Sequence, residues 1–166
     1  MTLAATIERT REVLATTPAA GKATFSADLD LVGTTQVDVR VRGHRFAADE
    51  PESLGGTDVA ANPVEYVLGA LGACHAITYR VWSEHLGIGF DDISIRVEGD
   101  LDVRGFFGVD DAVRPGCSEI RVSTTIRGTE PDERYDELHK LVEEHCPVQD
   151  MLAGNVALAA EMTVVR

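Results

Sequence analysis

Lysine is nearly absent from this chain: Lys22 and Lys140 are the only two among 166 residues. Arginine carries the positive charge and is outnumbered, with 15 Lys+Arg against 28 Asp+Glu and a formal net charge of −13. So acidic a chain is repelled by phosphate backbones and anionic lipid surfaces, which argues against nucleic acid or membrane as a partner. Its surface suits either a high-salt medium, where screening relieves self-repulsion, or an ordinary Arg-rich proteome. Long apolar runs are lacking too. The longest, around residues 66–77, is too short to span a bilayer and soon meets Arg80 and Glu84. The opening MTLAATIERTREVL lacks the apolar core and cleavage pattern of a secretion signal, so a cytoplasmic location is expected. Repeats and low-complexity tracts are missing. Cysteine is scarce and odd in number: Cys74, Cys117 and Cys146, none closely spaced. In a reducing compartment that speaks against a disulfide framework and leaves thiols that are either buried or reactive.

The hydrophobic fraction of 44% is that of a globular chain, and 166 residues fit one domain spanning 1–166. Residues 3–15 read as a helix closed before Pro18, and 1–22 as an N-terminal helix and linker ahead of a core at 23–166. From Ala23 to Phe46 apolar and polar residues alternate, with Leu29 and Leu31 and then Val37, Val39 and Val41, and Gly33 between the runs. This predicts a hairpin with one buried face. Asn62 as cap, Pro63 in the first turn and Glu65 as the capping-box carboxylate predict a long helix to about His85, stopped by Gly87. It is apolar on nearly every face and thin along Gly69, Ala70, Gly72, Ala73 and Ala76, as a central buried helix against close neighbours would be. Strands are expected at 92–101 and 118–127, a helix from Pro131 to His145, a short helical turn from Pro147 to Leu152 and a last strand over 156–165. The order is that of an α+β fold with antiparallel sheet.

Two thiols stand out. Taken alone, Cys74, inside LGALGACHAITY, reads as a small buried residue, inert because burial raises its pKa. Cys146, in HCPV, falls where one helix ends and Pro147 opens another; backbone N–H groups at such a junction favour a thiolate. Cys117, in the loop PGCSEI, has no such setting. Cys74–His75 with His145–Cys146 would supply four zinc ligands. Adjacent helix residues diverge by about 100°, however, and the usual ligand spacings are missing, so no metal or cofactor is expected.

The blocks NPVEYVLGALGACHAITY (62–79) and CPVQDML (146–152) resemble the OsmC/Ohr family, the osmotically inducible and organic-hydroperoxide-resistance proteins. DEP (49–51), LGGTD (54–58) and GFFGV (105–109) are typical of its OsmC-like branch, and the resemblance covers roughly residues 25–166. It implies an antiparallel sheet wrapped around a long buried central helix, in an intertwined homodimer. It further implies a peroxidase in which Cys74 attacks a hydroperoxide and Cys146 resolves the sulfenic acid to a disulfide. An external dithiol, of lipoyl type in some members, reopens that disulfide. Family members hold the thiolate with an arginine oriented by a glutamate. In peroxidase branches that glutamate directly follows Asn-Pro; here Val64 occupies the position and the carboxylate comes one residue later, about 100° around the helix, at Glu65. Glu65 is therefore either that group or only a capping residue, and Glu50 is a second candidate. Arg45, in GHRFAADEP, is preferred over Arg40 and Arg42, whose alternation with valines reads as a solvated strand face. The competing reading is a non-catalytic small-ligand or thiol-binding protein that keeps the scaffold without the charge relay.

Overall fold

The computed structural model describes residues 2–154 and 156–166. Helix α1 (Leu3–Thr16) is capped by the Thr2 hydroxyl, which accepts from the Ala5 N–H. A 3-10 turn at Pro18–Gly21 leads into three antiparallel strands, β1 (Asp28–Leu31), β2 (Val37–Val41) and β3 (His44–Ala48), in sheet order β1-β2-β3. The hairpin expected about Gly33 joins β1 to β2, with Leu29 opposite Val39. A second tight turn, with Arg42 at φ 54°, adds β3. Arg42 thus belongs to a turn, whereas Arg40 lies on β2 and binds Asp30 across the sheet at 2.6 Å.

Helix α2 (Pro63–Leu86) starts and stops where local chemistry dictates. The Asn62 side chain accepts from the Glu65 N–H while the Glu65 carboxylate accepts from the Asn62 N–H at 2.8 Å, a complete capping box. Gly87 ends the helix at φ 64°, a left-handed conformation that side chains with a Cβ rarely adopt. The second sheet pairs β4 (Asp92–Asp100) with β5 (Glu119–Arg127), antiparallel, around the single-turn helix α3 (Val103–Phe106). Helix α4 (Asp132–His145) and helix α5 (Pro147–Ala153) complete the described elements, with Cys146 as the residue between them.

The core lies where α2, α4 and the β4–β5 sheet meet: Tyr79, Ile88, Leu138 and Val142, with Trp82, Ile93, Ile95 and Ile126 packed around them. Gly72 lets this happen, since a Cβ there would stand 3.2 Å from a methyl of Val97 on β4. At the far end α1 is fastened to α2 by Glu8 to His85 at 2.8 Å and by Arg11 over the Trp82 ring. The three-stranded sheet meets α2 at Phe46 and Tyr66, whose rings are 5.3 Å apart and whose hydroxyl donates to the Ala47 carbonyl.

Three expectations change. The hairpin buries no face of β1, where Leu29 and Leu31 are both exposed. Helix α2 is buried along one face only, through Leu71, His75, Thr78, Tyr79 and Ser83; Ile77 is 65% exposed, and Val64 and Val67 also face outward. The last strand expected over 156–165 is not formed: residues 156–166 make no ladder, and Leu158 is 97% exposed. An alternating or apolar segment becomes a strand only when another strand offers its N–H and C=O groups, and within one chain none does so for this segment.

Candidate active site

Cys74 sits half-buried on α2 between Leu71 and Thr78, whose hydroxyl donates to the Cys74 carbonyl at 2.8 Å. Cys146 is 1% exposed at the α4–α5 junction. Because α5 packs against α2, the Cys74 and Cys146 thiols come near enough to influence one another electrostatically. The structure thus brings together sulfurs about seventy residues apart in the chain.

Burial pushes the Cys146 thiol above its ordinary value. The backbone N–H groups of Gln149 and Val148, at the start of α5, oppose this, while the interaction with Cys74 keeps the proton on Cys146 and adds to it. The helix start does oppose the effect of burial, as the Cys-Pro junction suggested, though the Cys146 side chain makes no capping hydrogen bond. Desolvation outweighs those amides, and the sequence-based expectation of a favoured thiolate at Cys146 is corrected accordingly.

The neighbouring polar groups belong to specific partners. His75, buried beside Cys74, places Nε2 at 2.7 Å from Gln149 Oε1, and Gln149 Nε2 donates to the Glu143 carbonyl at 3.1 Å. His145 donates from Nδ1 to the Leu141 carbonyl and lies 4.5 Å, ring to ring, from Trp82. With His75 turned to α5 and His145 to its own helix, the four residues of the zinc alternative do not converge. Among the described residues no three His, Cys, Asp or Glu side chains form a metal-binding group.

The three charged candidates lie elsewhere. Arg45 is exposed on β3, opposite Arg40 in register. Glu65 spends its carboxylate on the capping box. Glu50 follows β3 in a loop whose centre is the buried carboxylate of Asp49, which accepts from the hydroxyls of Thr35 at 2.6 Å and Thr57 at 2.7 Å and from the amides of Thr57 and Glu50. These donors, the Thr35 hydroxyl foremost, hold the Asp49 carboxyl well below the usual carboxylate range. Among the described residues no arginine hydrogen-bonds either Cys74 or Cys146.

A cavity of about 620 Å³ is lined by Leu71 of α2 and Gln149 of α5, though by neither Cys74 nor Cys146. Its walls are mainly apolar, among them Val64, Val67, Ile120 and Leu152, with Arg114 on its rim. Cys117, read from the sequence as incidental, lines it; its sulfur stands 3.0 Å from where a Cβ on Gly99 would be. Sequence reasoning weighed His75 only as a zinc ligand and passed over Gln149 and Asp49. Gln149 had one available signal, its place three residues after Cys146 in the CPVQ block.

A family model described as OsmC-like protein matches residues 55–161. The uncharacterized protein YmaD of Bacillus subtilis strain 168 is 27% identical over 118 residues, 69% of this chain and 75% of that protein. Among solved structures, an OsmC-like protein from Mycoplasma pneumoniae superposes with a TM-score of 0.69 at 17% identity, over 80% of this chain and 89% of that one. An organic hydroperoxide resistance protein OsmC from Legionella pneumophila gives 0.62 at 21% identity, over 80% and 91%. One from Elizabethkingia anophelis, also an organic hydroperoxide resistance protein, gives 0.61 at 20% identity, over 81% and 91%. At these identities the structures establish a shared fold.

Proposed function

This chain belongs to the OsmC-like protein family, and from that premise we propose that it is a thiol-dependent peroxidase reducing organic hydroperoxides through Cys74 and Cys146. The observation that supports the reading is that α5 brings Cys146, buried and with its thiol pushed above its ordinary pKa, into the neighbourhood of the half-buried Cys74. In the first step the Cys74 thiolate attacks the terminal peroxide oxygen. The O–O bond breaks, the alkoxide leaves and is protonated to the alcohol, and Cys74 becomes a sulfenic acid. Cys146 then loses its proton and attacks the Cys74 sulfur; water departs and a disulfide forms. A dithiol, lipoyl or otherwise, reduces that disulfide by exchange. The neighbouring cavity favours an apolar hydroperoxide over hydrogen peroxide, because its Val, Leu and Ile walls gain by covering hydrocarbon.

We further propose that the protein works as a homodimer in the cytoplasm. The outward face of α2 and the apolar stretch 156–165 are surfaces that a second copy would cover, and the latter would find its ladder there. No helix among the described residues is long and apolar enough to cross a membrane.

The competing reading, a thiol- or small-ligand-binding scaffold without turnover, is favoured by one observation: Arg45 and Glu65 are both engaged or exposed away from Cys74. Supplying cumene hydroperoxide and dihydrolipoamide to the wild type and Cys74→Ser separates the two. Turnover in the wild type that is lost in Cys74→Ser supports the peroxidase. Absent turnover in the wild type supports the scaffold, and turnover that persists in Cys74→Ser removes the assignment of Cys74.

A further inference from the structure

His75 is a buried group that the two-thiol chemistry leaves unused. Gln149 Nε2 donates to the Glu143 carbonyl, so the end it turns to the imidazole is the acceptor Oε1, and His75 must donate from Nε2. That leaves the lone pair on Nδ1, an atom buried without any hydrogen-bond partner. An orphaned buried acceptor is destabilising, and leucine would fill similar space without one. What histidine adds is, among the described residues, the one hydrogen bond from α2 to α5. The two ends of that bond flank the sulfurs. His75 follows Cys74, and Gln149, three residues after Cys146, is with Val148 one of the two whose backbone N–H groups act on that thiol. Helix α5 is only seven residues long, too short to hold its own orientation without such tethers.

We propose that His75, donating from Nε2 to Gln149 Oε1, is a positioning residue that sets the first turn of α5 and so keeps Cys146 against Cys74. The inference rests on the pair being redox-active, as proposed above, but its test needs no peroxide. The full-length reduced protein is equilibrated in mixtures of reduced and oxidised glutathione. Each disulfide formed consumes one oxidised glutathione and releases two reduced ones. The fraction of Cys74–Cys146 disulfide is read by mass spectrometry after alkylation. His75→Leu and Gln149→Leu each lower the effective concentration of the two thiols about tenfold, equivalent to a reduction potential raised by about 30 mV for this two-electron couple. The double variant loses no more than either single one, because both remove the same bond. His75→Gln, whose amide reaches the place of Nε2, recovers most of the loss.

An unchanged equilibrium in both leucine variants overturns the proposal, as does a double variant in which the two losses add. Should His75→Leu fail to fold, Gln149→Leu, at a half-buried position, carries the same measurement. A shifted glutathione equilibrium in a protein that turns over no hydroperoxide would leave His75 in its role and remove the peroxidase. Turnover with an unshifted equilibrium would do the reverse.

Discussion

Cys146 and Cys74 lie near one another where α5 packs on α2, and the more deeply buried thiol is the one at a helix start. Two effects meet on it with opposite signs. Backbone amides at the first turn favour the thiolate; removal from water favours the thiol, and the second prevails. A resolving thiol suits this arrangement, since it needs to ionise only after Cys74 has been oxidised.

The first expectation concerns Cys146 itself. In the reduced protein its alkylation by iodoacetamide is slow at pH 7, and the rate rises only above the ordinary thiol pKa of about 8.5. A folded pKa raised above the unfolded one contributes stability that is present below that ordinary value and lost as pH rises through the folded pKa. The urea midpoint of the wild type therefore falls at alkaline pH more than that of Cys146→Ser. Mass spectrometry of the Cys146 peptide across pH 6–10 checks the rate, and an alkylation plateau already reached at pH 7 would contradict it.

Removal of Cys146, the resolving thiol of the proposed mechanism, should separate its two chemical steps. Cys146→Ser consumes a single equivalent of hydroperoxide and then stalls, with sustained turnover on a dithiol reduced on the order of tenfold or more. A 1,3-dicarbonyl probe should label the Cys74 peptide as sulfenic acid. Labelling confined to Cys117 would reassign the primary thiol.

Glu65 is expected to act on the helix and not on the peroxide. Glu65→Ala breaks the capping box and removes a carboxylate from the N-terminal turn, costing about 0.5–1 kcal/mol, and Asn62→Ala costs about 1 kcal/mol. Both are read from urea titrations. A collapse of peroxide turnover in Glu65→Ala, with stability this little changed, would return Glu65 to the catalytic site.

Asp49 anchors the loop after β3 through five hydrogen bonds that its carboxylate accepts. Its carboxyl is held below the unfolded value, so the stability it contributes is present above about pH 4 and lost as pH falls below it. Asp49→Ala lowers the urea midpoint at pH 7, and the gap from wild type narrows as the pH is taken down to about 3. A gap that stays constant over that range would show that the carboxylate charge is immaterial.

In the core, Leu138 is wholly buried between α2 and the β4–β5 sheet. Leu138→Ala should cost about 2–5 kcal/mol, depending on how far Tyr79 and Val142 close on the space. Equilibrium unfolding measures it.

Much of this molecule could be read locally. Asn62, Pro63, Glu65 and Gly87 set the bounds of α2 through contacts within four residues, and the structure keeps those bounds. Pro147 likewise makes Cys146 a junction between helices whatever surrounds it. The alternation in β2, β4 and β5 marked their strands, because a pleated strand places successive side chains on opposite faces. The strand expected over 156–165 is not formed, because an apolar stretch shows only readiness to pair and nothing in one chain supplies the partner.

By itself, then, the sequence determined the helix ends, most of the strands and two thiols in separate recognisable blocks. All of these depend on neighbours along the chain. Only the tertiary structure decided that Cys74 and Cys146 come near each other, that His75 bonds to Gln149, and that Glu65 serves a cap while Arg45 stays on an exposed strand. It also decided the sign of the shift at Cys146, since the helix start can be read in a Cys-Pro pair but the depth of burial cannot. Burial is set by residues brought in from α2 and α4, and no pattern within a few residues encodes what will be packed against it.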